Sequence, residues 1–126
     1  MDKVALVTGA NRGIGLAVTK ALAGRGLRVL AAVRDPRRMP ALPGVEALRL
    51  DLGDGDALAG AVQEVQRRIQ RLDLLVNNAG MLEDDGVAVL DLDPGLLRRT
   101  VEVNALGPLR LAQALAPLMP LSLIHI

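Results

Sequence analysis

Residues Val4 to Gly15, read as VALVTGANRGIG, decide how this chain is understood. Val4-Ala5-Leu6-Val7 is a short apolar run with β-branched ends, closed by Thr8-Gly9; Gly13 and Gly15 follow, and then the helix-like LAVTKALAGRG. The succession is a strand, a tight glycine turn and a helix N-terminus. At such a junction unpaired backbone N–H groups and the positive end of the helix dipole face outward, and glycines let anionic oxygens approach the main chain. The stretch therefore predicts a pyrophosphate site suited to a dinucleotide. Its spacing is G-x-x-x-G-x-G, not the commoner G-x-G-x-x-G, but both do the same physical job. Taken alone, these glycines also describe a loop that merely turns sharply, so the segments downstream must decide.

The 126 residues suit one compact domain, and no composition break divides them. Hydrophobic residues at 51% and charged residues at 23% give a chain able to bury a core. With 15 basic and 14 acidic residues and a net charge of +1, nothing asks for nucleic acid or an anionic membrane. The absence of cysteine excludes disulfides, thiolate metal sites and a cysteine nucleophile. No apolar run approaches the ~20 residues needed to span a bilayer. Met1-Asp2-Lys3-Val4 is unlike a secretory signal, so a cytoplasmic location is expected. Aromatic content is 0%, unusual for a domain whose core would ordinarily use several such rings.

Further along, Ile14, Ala17, Val18, Ala21 and Leu22 have the spacing of a helix with one buried face, and Gly24 and Gly26 supply its stop. Arg28 to Val33 reads as a second strand buried on both faces. A loop rich in proline and arginine leads to a third strand over Val45 to Leu50. Asp54-Gly55-Asp56 offers N-cap chemistry for a helix over Ala57 to Arg71, with Leu58, Ala61, Val62, Val65 and Ile69 on one stripe. Leu72 to Val76 is the fourth strand, ending in Asn77-Asn78-Ala79-Gly80. Glu83-Asp84-Asp85-Gly86 reads as a solvated loop, and nothing there orders carboxylates for a metal. Asp93-Pro94 starts a long helix expected to run to Leu118 with a disturbance at Gly107-Pro108.

The order β-α-β-(α)-β-α-β-α implies right-handed crossovers and an α/β fold with a doubly wound parallel sheet of the Rossmann kind, incomplete at about four strands. Ligands in such sheets bind beyond the carboxyl ends of the strands. Thr8 to Gly15, Arg34, Asp51-Leu52 and Asn77 to Gly80 all fall at such ends, so one crevice is expected to gather them.

TGANRGIG at 8–15, DL at 51–52, NNAG at 77–80 and VNALGP at 103–108, in this order and spacing, resemble the short-chain dehydrogenase/reductase family, in its carbonyl-reductase-like type. The resemblance runs to about Met119; any one motif is weak, and four in register are strong. It implies a pyrophosphate held by Gly9, Gly13, Ile14 and Gly15, with Thr8 tying the turn together and Asn11 and Arg12 among the cofactor-binding residues. It implies Asp51 beside the adenine with Leu52 as apolar backing, and Asn78, Ala79 and Gly80 along the cofactor ribose and against the central strand. Asn104 matches the family's catalytic asparagine, whose surroundings hold a water in a proton relay. The bland readings remain open: Asp51 as a turn cap, Asn77 and Asn78 as an Asx turn, and Asn104 as a surface amide. His125, the only histidine, is assigned no role.

An NAD site usually places an acid just after the second strand, whereas NADP needs positive charge there. The first residue after RVLAAV is Arg34, and Arg12 stands beside the phosphate turn, so NADP is expected over NAD. Asp35 is the contrary datum, because a strand one residue longer would put the acid in that place; Arg34, Arg37 and Arg38 can alternatively be read as a basic surface loop.

The family's chemistry is hydride transfer between a nicotinamide and a small carbonyl or alcohol, with a tyrosine as acid/base, a lysine lowering its pKa and a serine holding the substrate oxygen. This sequence has no tyrosine, its one serine is Ser122, and its lysines are Lys3 and Lys20. The expectation is a dinucleotide-binding unit over residues 1–120 from the amino-terminal part of an oxidoreductase, inactive by itself and homo-oligomeric when complete. Residues 121–126 either begin a fifth strand or are foreign to the protein. The alternative is a non-catalytic dinucleotide-binding or interaction module, which a downstream Ser and Tyr-x-x-x-Lys would exclude.

Overall fold

A computed structural model describes residues 2–81 and 86–120. The acidic run Glu83 to Asp85 and the tail with Ser122 and His125 lie outside the described residues, and so does the choice between a native and a foreign tail.

Strands β1 (Val4–Thr8), β2 (Arg28–Val33), β3 (Val45–Arg49) and β4 (Leu74–Val76) form one parallel sheet in the order β3-β2-β1-β4. The apolar runs are continuous because each strand feeds two cores. Along β1, Leu6 faces one layer and Val7 the other; along β2, Leu30 and Ala32 oppose Val29, Ala31 and Val33. This is period-2 geometry in a sheet covered on both sides. One layer closes with Leu58, Ala61 and Val65 of helix α2 (Gly55–Arg68) and Leu111 and Leu115 of α4 (Gly107–Leu115). Each leucine sealed there contributes about 1.5–3 kcal/mol. The other layer closes with Val18 and Leu22 of α1 (Gly13–Gly24).

Helix α2 starts where its cap chemistry says: Asp54 Oδ1 accepts from the N–H groups of Asp56 (3.0 Å) and Ala57 (3.2 Å). Its predicted stripe is the one that packs, but the helix stops at Arg68 because Ile69 is extended at φ −137°. Helix α3 (Pro94–Val101) begins on Asp93, whose Oδ1 accepts from the Gly95 N–H at 3.0 Å. The disturbance expected at Gly107-Pro108 is present, one turn early, as a π-helical turn over Glu102–Leu106. Pro108 has no N–H for the carbonyl of Asn104, and the Gly107 N–H reaches back to Glu102 O instead.

Three further sequence expectations are corrected. The third strand stops at Arg49, although the Leu50 N–H still donates to Val33 O at 2.8 Å. The fourth is only Leu74–Val76, because the Leu72 N–H turns away to Leu118 O (2.9 Å) while its side chain stays buried. On α1, Ile14, Ala17 and Ala21 face solvent; the inward face is Gly15, Val18, Thr19 and Leu22. Among the described residues no helix is long and apolar enough to cross a membrane.

Candidate functional site

The parallel sheet sends the carboxyl ends of all four strands to one edge, and the glycine turn crosses it. Gly9 and Gly13 adopt φ +63° and +56°, a region that side chains resist. A Cβ on Gly15 would lie 2.1 Å from Gly9 O, and one on Gly9 2.9 Å from Ala79 Cα. The turn can therefore fold flat between α1 and the tip of β4 only with glycine at both places. Arg12 is the N-cap of α1 and makes no side-chain cap bond; the first helical bond runs from Leu16 N–H to Arg12 O at 3.2 Å. Among the described residues the N–H groups of Gly13, Ile14 and Gly15 have no main-chain partner, and a Cβ on Gly13 would meet nothing within 4 Å. Unpaired donors, the positive helix end and open space beside Gly13 fit a diphosphate. Ile14 stands beside them 76% exposed.

Thr8, fully buried, locks the turn to β4. Its Oγ1 accepts from the N–H groups of Asn78 and Ala79, both at 3.0 Å, and donates to Val76 O at 3.4 Å. Asn78 returns the contact, its Nδ2 donating to Thr8 O (3.2 Å) and Gly9 O (3.3 Å). The next residues are held from the helix side: Asn104 Nδ2 donates to Met81 O at 2.9 Å and Oδ1 accepts from Met81 N–H at 2.8 Å. The π turn is what carries Asn104, and Gly80 lies against it, since a Cβ there would come 3.3 Å from Asn104 Oδ1.

The strand tips of β2 and β3 complete the edge. Arg34 is the first residue beyond β2 and is exposed; among the described residues neither Arg34 nor Arg12 makes a side-chain hydrogen bond or ion pair. Asp35 caps a single turn of 3₁₀ helix over Pro36–Arg38, accepting from Arg37 N–H at 3.1 Å. Its carboxylate also takes a two-pronged contact from the Arg37 guanidinium, Nε to Oδ1 at 3.0 Å and Nη2 to Oδ2 at 3.2 Å. These hydrogen bonds hold the Asp35 carboxyl below, and the Arg37 guanidinium above, their ordinary pKa values. Asp51 Oδ1 accepts from Gly53 N–H at 3.0 Å, the turn-cap arrangement. Leu52 is buried in the core, beside Gly107.

Thr8, Gly9, Gly15, Asn78 and Ala79 are thus in mutual contact, and Gly80, Met81 and Asn104 form a second knot beside them. Asn11, Arg12 and Arg34 make no side-chain hydrogen bond with either knot. Sequence reasoning gave Gly107 only a helix disturbance and missed its close contact, in which a Cβ would lie 2.7 Å from Leu52 O; it also missed the pairing of Asp35 with Arg37. It also gave Asn77 no more than a turn role, whereas its Oδ1 is buried without a partner. An acid two residues before an arginine was the one available signal for the pair.

The family profile described as short chain dehydrogenase matches residues 3–122. An oxidoreductase, BOA17, of Botryotinia fuckeliana is 30% identical over 94% of this chain and 45% of its own length. The NADPH-bound carbonyl reductase from chicken fatty liver superposes with a TM-score of 0.82 at 30% identity, over 93% of this chain and 51% of that one. A Brucella ovis oxidoreductase of the short chain dehydrogenase/reductase family, in complex with partially ordered NAD, gives 0.81 at 30% identity, over 94% and 58%. The chain spans half or less of the length, 29% to 50%, of the curated relatives it matches.

Proposed function

This chain belongs to the short-chain dehydrogenase family, and from that premise we propose that residues 1–120 are the cofactor-binding part of an NADP-preferring oxidoreductase acting on a small carbonyl or alcohol. The observation that carries the reading is the uncapped N-terminus of α1, with the N–H groups of Gly13, Ile14 and Gly15 unpaired and open space beside Gly13. In this reading those amides bind the pyrophosphate and the Ile14 side chain gives an apolar contact. Asn11 and Arg12 border the phosphate turn, Asp51 meets the adenine with Leu52 behind it, and Asn78, Ala79 and Gly80 run along the ribose. Asn104, fixed on Met81, keeps the segment after β4 in position and holds a proton-relay water. Arg34 faces the ribose phosphate, supported by the end of β2 at Val33 and by the engagement of Asp35 with Arg37. The bound nicotinamide supplies the hydride chemistry.

The acid/base tyrosine falls to residues outside these 126, which contain none. Absence of a positioned acid/base typically costs 10²–10⁴-fold, so no appreciable turnover is expected from this chain alone. Homo-oligomer formation by the complete enzyme belongs to the same proposal, supported by the exposed apolar side chains of Leu97, Val101 and Leu109.

Calorimetric titration of the folded chain with NADPH and NADH tests it. A charge-assisted contact to the extra phosphate predicts roughly tenfold or more preference for NADPH, shrinking as salt is added. Indifference to both nucleotides would overturn the proposal, and equal affinities would overturn the NADP preference.

A further inference from the structure

Resting on the NADP reading, we infer that Arg37 determines cofactor specificity without touching the cofactor, by clasping the Asp35 carboxylate next to the proposed phosphate-binding Arg34. Asp35 is needed for the local fold, because its side chain caps the 3₁₀ turn that Pro36 starts, accepting from Arg37 N–H. A carboxylate is therefore built into the position beside Arg34, where it would repel a ribose phosphate and instead suit the hydroxyl pair of NAD. The Arg37 guanidinium meets it with both prongs, at 3.0 and 3.2 Å, and Arg38 Nε stands 3.9 Å away on the same group. The carboxylate oxygens are thus engaged by donors of their own turn, whereas Arg34 has no partner among the described residues. The local charge that an incoming phosphate meets is set by Arg34, with the acid beside it cancelled. The lowered Asp35 pKa, caused first by the Arg37 side-chain hydrogen bond, is in keeping with a carboxylate held ionised and paired.

A double-mutant cycle separates this from a direct contact. Arg37→Ala uncovers the negative charge and is expected to weaken NADPH binding roughly five- to tenfold, a screened like-charge effect. NADH should change by no more than about twofold, the usual scatter between uncoupled sites. Asp35→Asn keeps a cap acceptor and removes the charge, so it should hold or improve NADPH affinity. In the Asp35→Asn/Arg37→Ala double variant, which is neutral at both positions as the intact pair is, NADPH binding should return to that of the unaltered chain. Persistent weakness in the double variant would mean that Arg37 contacts the phosphate itself and would overturn the inference, as would an Arg37→Ala chain with unchanged NADPH affinity. Arg37→Gln, which retains side-chain donors but no charge, repeats the test should the alanine variant fail to fold, with the same loss expected. Failure of the unaltered chain to bind NADPH sinks the underlying reading instead, and is visible before any substitution is made.

Discussion

Thr8 carries more of the site's geometry than any residue whose type suggests chemistry. Its hydroxyl is fully removed from water and is the acceptor for two main-chain N–H groups, those of Asn78 and Ala79. Thr8→Val preserves shape and takes that acceptor from two half-buried donors, of which only the Asn78 N–H keeps another partner, Val76 O at 3.1 Å. A donor stranded in the interior costs about 1–3 kcal/mol, and for these half-buried groups the low end applies, so the variant should unfold at lower urea by about 1 kcal/mol, while Thr8→Ser, which keeps the oxygen, loses less. Equal midpoints for the two variants would show that the hydroxyl does not hold the turn to β4. The sequence displays Thr8 as the end of a strand, but its partners stand 70 and 71 residues away, and no local pattern announces a bond across that separation. Asn104 is similar. By propensity an amide in a helix is a tolerated surface residue, and its two bonds to Met81 follow from how the helix lies across the sheet.

At the scale of elements, legibility followed how each helix makes its contact. Helix α2 packs through large apolar residues, so its stripe of Leu58, Ala61, Val65 and Ile69 is written plainly. Helix α1 approaches the sheet through Gly15 and Thr19, the latter donating its hydroxyl to Gly15 O at 2.8 Å. Counting apolar residues consequently chose the wrong face and put the exposed Ile14 inside. The same kind of close approach occurs at Gly107, the first residue of α4. Helix propensity alone says Gly→Ala stabilises a helix by about 1 kcal/mol. At Gly107 the new methyl would come 2.7 Å from Leu52 O and 2.8 Å from Leu52 Cβ, and a backbone carbonyl cannot swing aside. Overpacking of this kind typically costs about 1–3 kcal/mol, so Gly107→Ala should destabilise. Gly60, within α2, would present its methyl to open space, and Gly60→Ala should stabilise by about 0.5–1 kcal/mol. Thermal or urea melts of the pair should move in opposite directions; a Gly107→Ala variant stabilised like Gly60→Ala would mean that α4 does not rest on Leu52.

Over the whole molecule, the near-balance of 15 basic and 14 acidic residues was visible from composition, but the pairing was not. Arg28 at the start of β2 donates through Nη2 to Glu46 Oε1 on β3 at 3.0 Å and through Nη1 to Arg68 O at 3.2 Å. Arg68 in turn donates to Glu64 Oε1 at 2.7 Å, and Arg67 also pairs with Glu64. This network joins β2, β3 and the last turn of α2 at the edge of the sheet opposite the glycine turn. The hydrogen bond from Arg28 lowers the Glu46 pKa below 4.5, and that from Arg68 lowers Glu64 likewise. A carboxylate whose folded-state pKa is depressed contributes stability that is fully present above its unfolded value and fades as pH falls through the folded one. Stability should therefore be level with respect to these two groups between about pH 8 and 6 and decline below about 5, where the unfolded chain takes up protons first. Because Glu46 is 40% exposed in its side chain, screening limits its share to a few tenths up to about 1 kcal/mol. Glu46→Gln should lose that amount at neutral pH, decline less steeply in acid and respond less to added salt, all read by urea unfolding across pH. Nucleotide affinity at neutral pH should stay the same, since the network and the proposed phosphate turn occupy opposite edges of one sheet. An acid limb as steep in Glu46→Gln as in the parent would transfer the pH dependence to other carboxylates.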